Sequence, residues 1–171
     1  MFPVRLERVA RAATPAITAL VAAGIDHEVV AYRHDPRNES FGAEAVAELA
    51  AGGIVAEQVF KTLVIALPKG LAVAVLPVPT KLSLKAAAAA LGVAKAEMAD
   101  PAAAQRSTGY VVGGISPLGQ RRPLPTVVDA SALRFDKVLC SAGKRGLDVA
   151  LAPADLVRAT GAVTAEITLP A

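Results

Sequence analysis

A chain of 171 residues has the length of one domain, and 54% hydrophobic residues with a mean hydropathy of +0.48 exclude a disordered protein. Aromatics at 4% are too few for base-stacking platforms, and a net charge of +3 is weaker than a domain gripping duplex DNA shows, yet it permits an anionic partner. The single cysteine, Cys140, rules out an intramolecular disulfide and fits a reducing, cytoplasmic setting.

The first segment carries arginines before a short apolar run. Glu7 in its charged part and Pro15 in its apolar part argue against a signal peptide. Residues 4–12 read as a short charged helix. Thr14-Pro15 reads as N-cap and first turn of a helix over 15–23 that Gly24 stops. Residues 25–34 alternate as a strand, and a polar loop around Pro36 leads through Phe41-Gly42 into a helix over 43–51 closed by Gly52-Gly53. The β-branched run 59–67 turns at Pro68-Lys69-Gly70 into 71–78, a hairpin. Ser83 caps an alanine-rich helix over 84–92, residues 94–100 are extended, and Asp100-Pro101 starts a one-turn helix through Arg106. A strand near 109–112, a glycine-proline loop and a strand at 125–129 follow. Strands at 137–143 and 147–152 flank Gly143-Lys144-Arg145-Gly146. Pro153 opens a helix ended by Gly161, and 162–169 is a last strand. No run approaches the ~18 apolar residues of a membrane span. This mixed order predicts one α+β domain, a mixed sheet curled toward a barrel with helices outside.

Few residues carry chemistry. Lys61 interrupts an apolar strand. It either snorkels outward at a strand end or points a cation into a pocket. Gly113 to Pro117 is either a wide turn or a loop that bares backbone N–H groups to a ligand. "GISPLGQ" has P-loop glycine spacing, but Gln120 and Arg121 stand where the lysine and hydroxyl residue belong, which excludes that motif. In "SAGKRGLD" Asp148 can pair with an amine, or the stretch is a turn with solvated charges. His27 and His34 lack partners for a zinc site, and Cys140 reads as a small core residue.

Taken together, "TPAI" at 14–17, "HDP" at 34–36, "FG" at 41–42, "FKTL" at 60–63, "MADP" at 98–101, "QRSTGYVVGGISPLGQ" at 105–120 and "GKRGLD" at 144–148 resemble the YbaK/EbsC family. These are free-standing bacterial Cys-tRNA(Pro) deacylases, relatives of the editing domain inserted in bacterial prolyl-tRNA synthetases. The resemblance makes 1–13 an N-terminal extension and 14–171 the deacylase domain, with a barrel-like sheet. It implies trans-editing of Cys-tRNA(Pro), with Cys-tRNA(Cys) as a further substrate, by attack of the substrate's own thiol on its ester and release of a thiolactone. No cofactor or metal is implied. The implied partners are aminoacyl-tRNA and prolyl-tRNA synthetase, with no membrane and no DNA.

The same resemblance assigns roles. Lys61 would hold the terminal nucleotide or ester end, with Thr62 on the same wall. Gly113, Gly114, Ile115 and Ser116 would offer N–H groups to the carbonyl, and Pro117 would stiffen them. Asp148 would orient the α-amine near Ser141 and Gly143. Tyr32 and Phe41 would wall the aminoacyl pocket, and Arg121, Arg122, Lys144 and Arg145 would meet tRNA phosphates. Three rivals stand beside this reading: a deacylase for another amino acid such as alanine, a non-catalytic aminoacyl-tRNA-binding module, and an accessory regulator bound to a synthetase.

Overall fold

The computed structural model describes residues 13–170; the expected helix over 4–12 lies outside them. Helix α1 (Pro15–Ala22) starts where Thr14 Oγ1 accepts the Ile17 N–H. Helix α3 (Leu84–Ala90) starts the same way at Ser83, and α4 (Pro101–Thr108) at Asp100. Each cap satisfies an N–H that the helix itself leaves free. Helices α2 (Phe41–Ala50) and α5 (Pro153–Thr160) complete the set.

Two sheets form. In the first, β1 (His27–Ala31), β7 (Leu147–Leu151) and β6 (Val138–Lys144) lie in that order, antiparallel. The second runs β4 (Glu97–Met98), β2 (Phe60–Ala66), β3 (Leu71–Pro77), β5 (Thr126–Asp129), β8 (Val163–Ala165). Pairs β4–β2 and β2–β3 are antiparallel, whereas β3–β5 and β5–β8 are parallel. The sheets meet where Val59 bridges Leu139, and they do not close into a barrel.

Strand alternation sorts the core into layers. Val73 and Val75 of β3 face the first sheet and pack with Val138, Cys140, Val149 and Leu151. Ala72, Ala74 and Leu76 face the other way, onto Ala87 of α3 and Ile167. On the far side of the first sheet, Val30, Leu139 and Ala150 pack on Ala45 and Leu49 of α2. Cys140 is fully buried, as a core residue.

Among the boundaries that differ from expectation, three have a clear physical cause. Residues 109–112 are a loop rather than a strand. Gly109 caps α4 at φ +81°, and the Val112 N–H bonds the Gln105 side chain at 3.0 Å instead of a neighbouring strand. Helix α4 runs on past Arg106 to Thr108, whose hydroxyl bonds back to Ala104 O at 2.8 Å. The last strand is short because the Ile167 N–H leaves the ladder for the buried Asp129 carboxylate, 2.9 Å away.

Gly119 shows how tightly the glycine-proline loop is seated. Its φ is +62°, and a Cβ there would fall 2.3 Å from Pro15 O. Gly119→Ala therefore lowers stability by about 2–4 kcal/mol, read as a fall in the urea midpoint. Gly24→Ala is the control: its φ is +66° with nothing within 4 Å of the new Cβ, so it loses only about 1 kcal/mol.

Candidate active site

A cavity of about 350 Å³ lies between β2, the start of α2, the 109–119 loop and the β6–β7 pair. Lys61, Thr62, Asp148, Ser141, Tyr32, Phe41, Gly113 and Ile115 all line it. Residues far apart in sequence thus converge on one cavity.

Asp148 sits mid-strand in β7, with Val30 and Ser141 as its cross-strand partners. It is 4% exposed, and among the described residues no donor reaches its carboxylate. Burial pushes its pKa up to about 7. Burial and the neighbouring Asp148 charge together push the Tyr32 phenol up. A buried carboxylate without a protein partner is costly unless a ligand supplies the missing cation.

Lys61 is half-buried, and burial lowers its pKa. Its Nζ donates to Val78 O at 3.3 Å and Thr80 O at 2.5 Å. Among the described residues no carboxylate lies within ion-pair distance of it. Two of its three protons are held by carbonyls, which leaves one for an anion or a carbonyl oxygen. Beside it the Thr62 hydroxyl is buried with no partner.

The loop is rigid. Gly114 N donates to Val111 O at 2.9 Å, closing a turn with Gly113 in its third place at φ +88°, the type II arrangement. Tyr110 Oη donates to Leu118 O at 2.7 Å, and Gln120 Nε2 to Ser116 O at 3.0 Å. Among the described residues the N–H groups of Gly113 and Ile115 have no hydrogen-bond partner. Both residues line the cavity.

Other residues named from the sequence stand behind the wall. The Gly114 N–H is taken up by the turn, and its α-carbon backs onto Lys144 and Arg145. Ser116 is fully buried and its hydroxyl accepts the Leu118 N–H, so it shapes the loop from inside; Pro117 is buried beside it. Gly143 lies at the β6 bulge against Tyr110, donating its N–H to Ser141 Oγ at 3.0 Å. Arg121, Arg122 and Lys144 are exposed and outside the cavity. Arg145 stacks on the Phe41 ring, 4.4 Å from its centroid.

Sequence reasoning did not assign site roles to Val78, Met98, Ala99, Pro101, Ala104 and Val112, which form the apolar wall together with Ala45 of α2 and apolar residues of β2. It also missed Glu44, which accepts from His34 Nδ1 at 2.6 Å and from the Asp35 N–H at 3.0 Å, fixing the loop before α2. Those two bonds hold the Glu44 pKa down. The "HDP" and "MADP" segments were the available signals.

The cavity can bind an ammonium at Asp148 and polarise a carbonyl with N–H groups and a lysine. Among the described residues its lining has no histidine or cysteine, and none of the hydroxyls of Tyr32, Thr62 or Ser141 is bonded to a base. It therefore lacks the nucleophile–base pair of covalent catalysis.

Comparison with known proteins shows the family of the chain. The chain is 40% identical over 131 residues to EbsC of Enterococcus faecalis, described as a candidate Cys-tRNA(Pro)/Cys-tRNA(Cys) deacylase; the match covers 76% of this chain and 79% of that one. A crystal structure of a candidate trans-editing enzyme for prolyl-tRNA synthetase superposes with a TM-score of 0.79 at 26% identity, covering 91% of this chain and 96% of that one. The hypothetical protein APE2540 superposes at 0.78 and 25% identity, covering 91% and 100%. Residues 39–159, more than half of the chain, match the aminoacyl-tRNA editing domain, and the chain belongs to that family.

Proposed function

We propose that the protein is a trans-editing deacylase that clears Cys-tRNA(Pro), and that the substrate's own thiol is the nucleophile. The observation that carries this is the buried Asp148, without a partner among the described residues, in a cavity whose described lining holds no activated nucleophile. Asp148 would take the α-ammonium of the aminoacyl group. Lys61 and the N–H groups of Gly113 and Ile115 would face the ester.

In the proposed step the thiolate sulfur attacks the ester carbonyl carbon, and the new oxyanion is held by those donors. Collapse breaks the bond to the ribose oxygen, which takes up from solvent the proton that the thiol gave up. The products are deacylated tRNA and a four-membered thiolactone, which water then opens to cysteine. A thiol of pKa ~8.5 is a few per cent ionised near neutrality. Holding it against the ester makes the attack intramolecular. The protein thus supplies position and charge rather than a reactive group.

The cavity of about 350 Å³ has room for an aminoacyl ester, and among the described residues Lys61 is the one cation lining it. Cys-tRNA(Cys) is then a second substrate unless a partner such as prolyl-tRNA synthetase selects the tRNA. Lys61→Met should lower kcat/KM on Cys-tRNA(Pro) about 10²-fold with the circular dichroism spectrum unchanged.

The test of the assignment is release of amino acid from Cys-, Ala- and Pro-tRNA(Pro) by the purified protein. Rapid loss of cysteine alone supports it. Equal loss of alanine would assign a different editing specificity. Binding with no release would make the protein an aminoacyl-tRNA carrier.

A further inference from the structure

We infer that Arg145 is a positioning residue that aims the Gly113 N–H into the cavity, rather than a contact for tRNA phosphate. This rests on the deacylase reading. Arg145 Nε and Nη2 both donate to a single acceptor, Val112 O, at 3.0 and 2.6 Å. The peptide joining Val112 to Gly113 is planar and trans, so its C=O and N–H point in opposite directions. A grip on the Val112 oxygen from the exposed Arg145 therefore fixes where the Gly113 N–H points. That N–H has no protein partner among the described residues, and Gly113 lines the cavity.

A second contact fixes the same unit. The guanidinium stacks on Phe41, and Gly113 lies so close to that ring that a Cβ would meet it at 2.6–2.8 Å. Arg145 thus joins the β6–β7 turn, the loop and the start of α2 at the cavity wall. A hydrogen bond to the carbonyl also polarises the peptide and strengthens its N–H as a donor. Lysine cannot reproduce this, since it lacks the planar fork and stacks less well on a ring.

The experiment compares Arg145→Lys and Arg145→Ala with the parent in two ways. On Cys-tRNA(Pro), both variants should lose at least about tenfold in kcat, with KM within about twofold and the salt dependence of kcat/KM unchanged. A raised KM, a salt slope smaller by about one, kcat intact and retention by lysine would instead identify a phosphate contact and overturn the inference. Without substrate, the ¹H–¹⁵N resonance of the Gly113 amide should move in Arg145→Lys while the thermal midpoint stays put. An unmoved Gly113 resonance would also overturn it. The parent's own rate on Cys-tRNA(Pro) tests the deacylase reading separately, and the amide measurement does not depend on it.

Discussion

Asp148→Asn should abolish deacylation, lowering kcat/KM by about 10³-fold, and should at the same time make the protein more stable above pH 7. Both follow from one carboxylate. In the folded chain burial raises its pKa from an ordinary 3.8 to about 7. Between those values the folded state holds a proton that the unfolded chain has released, so stability falls as pH rises through the interval. Above pH 7 the buried charge costs of the order of 4 kcal/mol. Asparagine removes the charge and keeps the shape. Urea midpoints of the two proteins should coincide near pH 4 and separate at pH 8, with the variant higher. Activity should show the opposite preference. The parent's kcat/KM should rise through pH 7 as Asp148 ionises in the free protein, and the residual rate of the variant should lack that step.

Gly113→Ala should cost about 10²-fold in kcat while the rest of the fold persists. Gly113 stands at φ +88°, where an L side chain is strained, and its Cβ would lie 2.6–2.8 Å from three atoms of the Phe41 ring. The ring is itself held under Arg145. Relief comes only by moving the loop or the ring, and either one displaces the Gly113 and Ile115 N–H groups from the cavity. Gly114→Ala is milder, because its backbone φ is ordinary and its Cβ would meet Lys144 and Arg145 backbone at 3.1–3.3 Å. The ratio of the two kcat losses therefore reports which glycine carries the donor.

What was legible in the sequence divides along local and non-local lines. The caps at Thr14, Ser83 and Asp100 are local chemistry, and each begins a helix as read. The hairpin of β2 and β3 is likewise set by neighbouring residues. The run Tyr110 to Val112 reads as a strand by propensity, yet its polar groups are claimed by Gln105 and Leu118, which no window over 109–112 contains. The barrel expectation failed for a related reason: closure depends on pairings between distant strands, and among the described residues a single bridge, Val59 to Leu139, joins the two sheets.

At the site, the motif segments carried Lys61, Asp148 and the loop. Gly114 could not be told from Gly113 and Ile115, because which N–H the turn consumes is decided in three dimensions, and the full burial of Ser116 leaves no local pattern. Arg145 reads as a surface charge for phosphate. Its grip on Val112 spans 33 residues and leaves no local pattern.

The measurement that bears most directly on the central claim is release of amino acid from Cys-tRNA(Pro) and Ser-tRNA(Pro) in parallel. Serine nearly matches cysteine in size but carries a poor nucleophile. Substrate-thiol attack predicts rapid loss of cysteine and at least about 10²-fold slower loss of serine. Equal rates for the two would contradict it, and would require a water activated by a residue of this cavity.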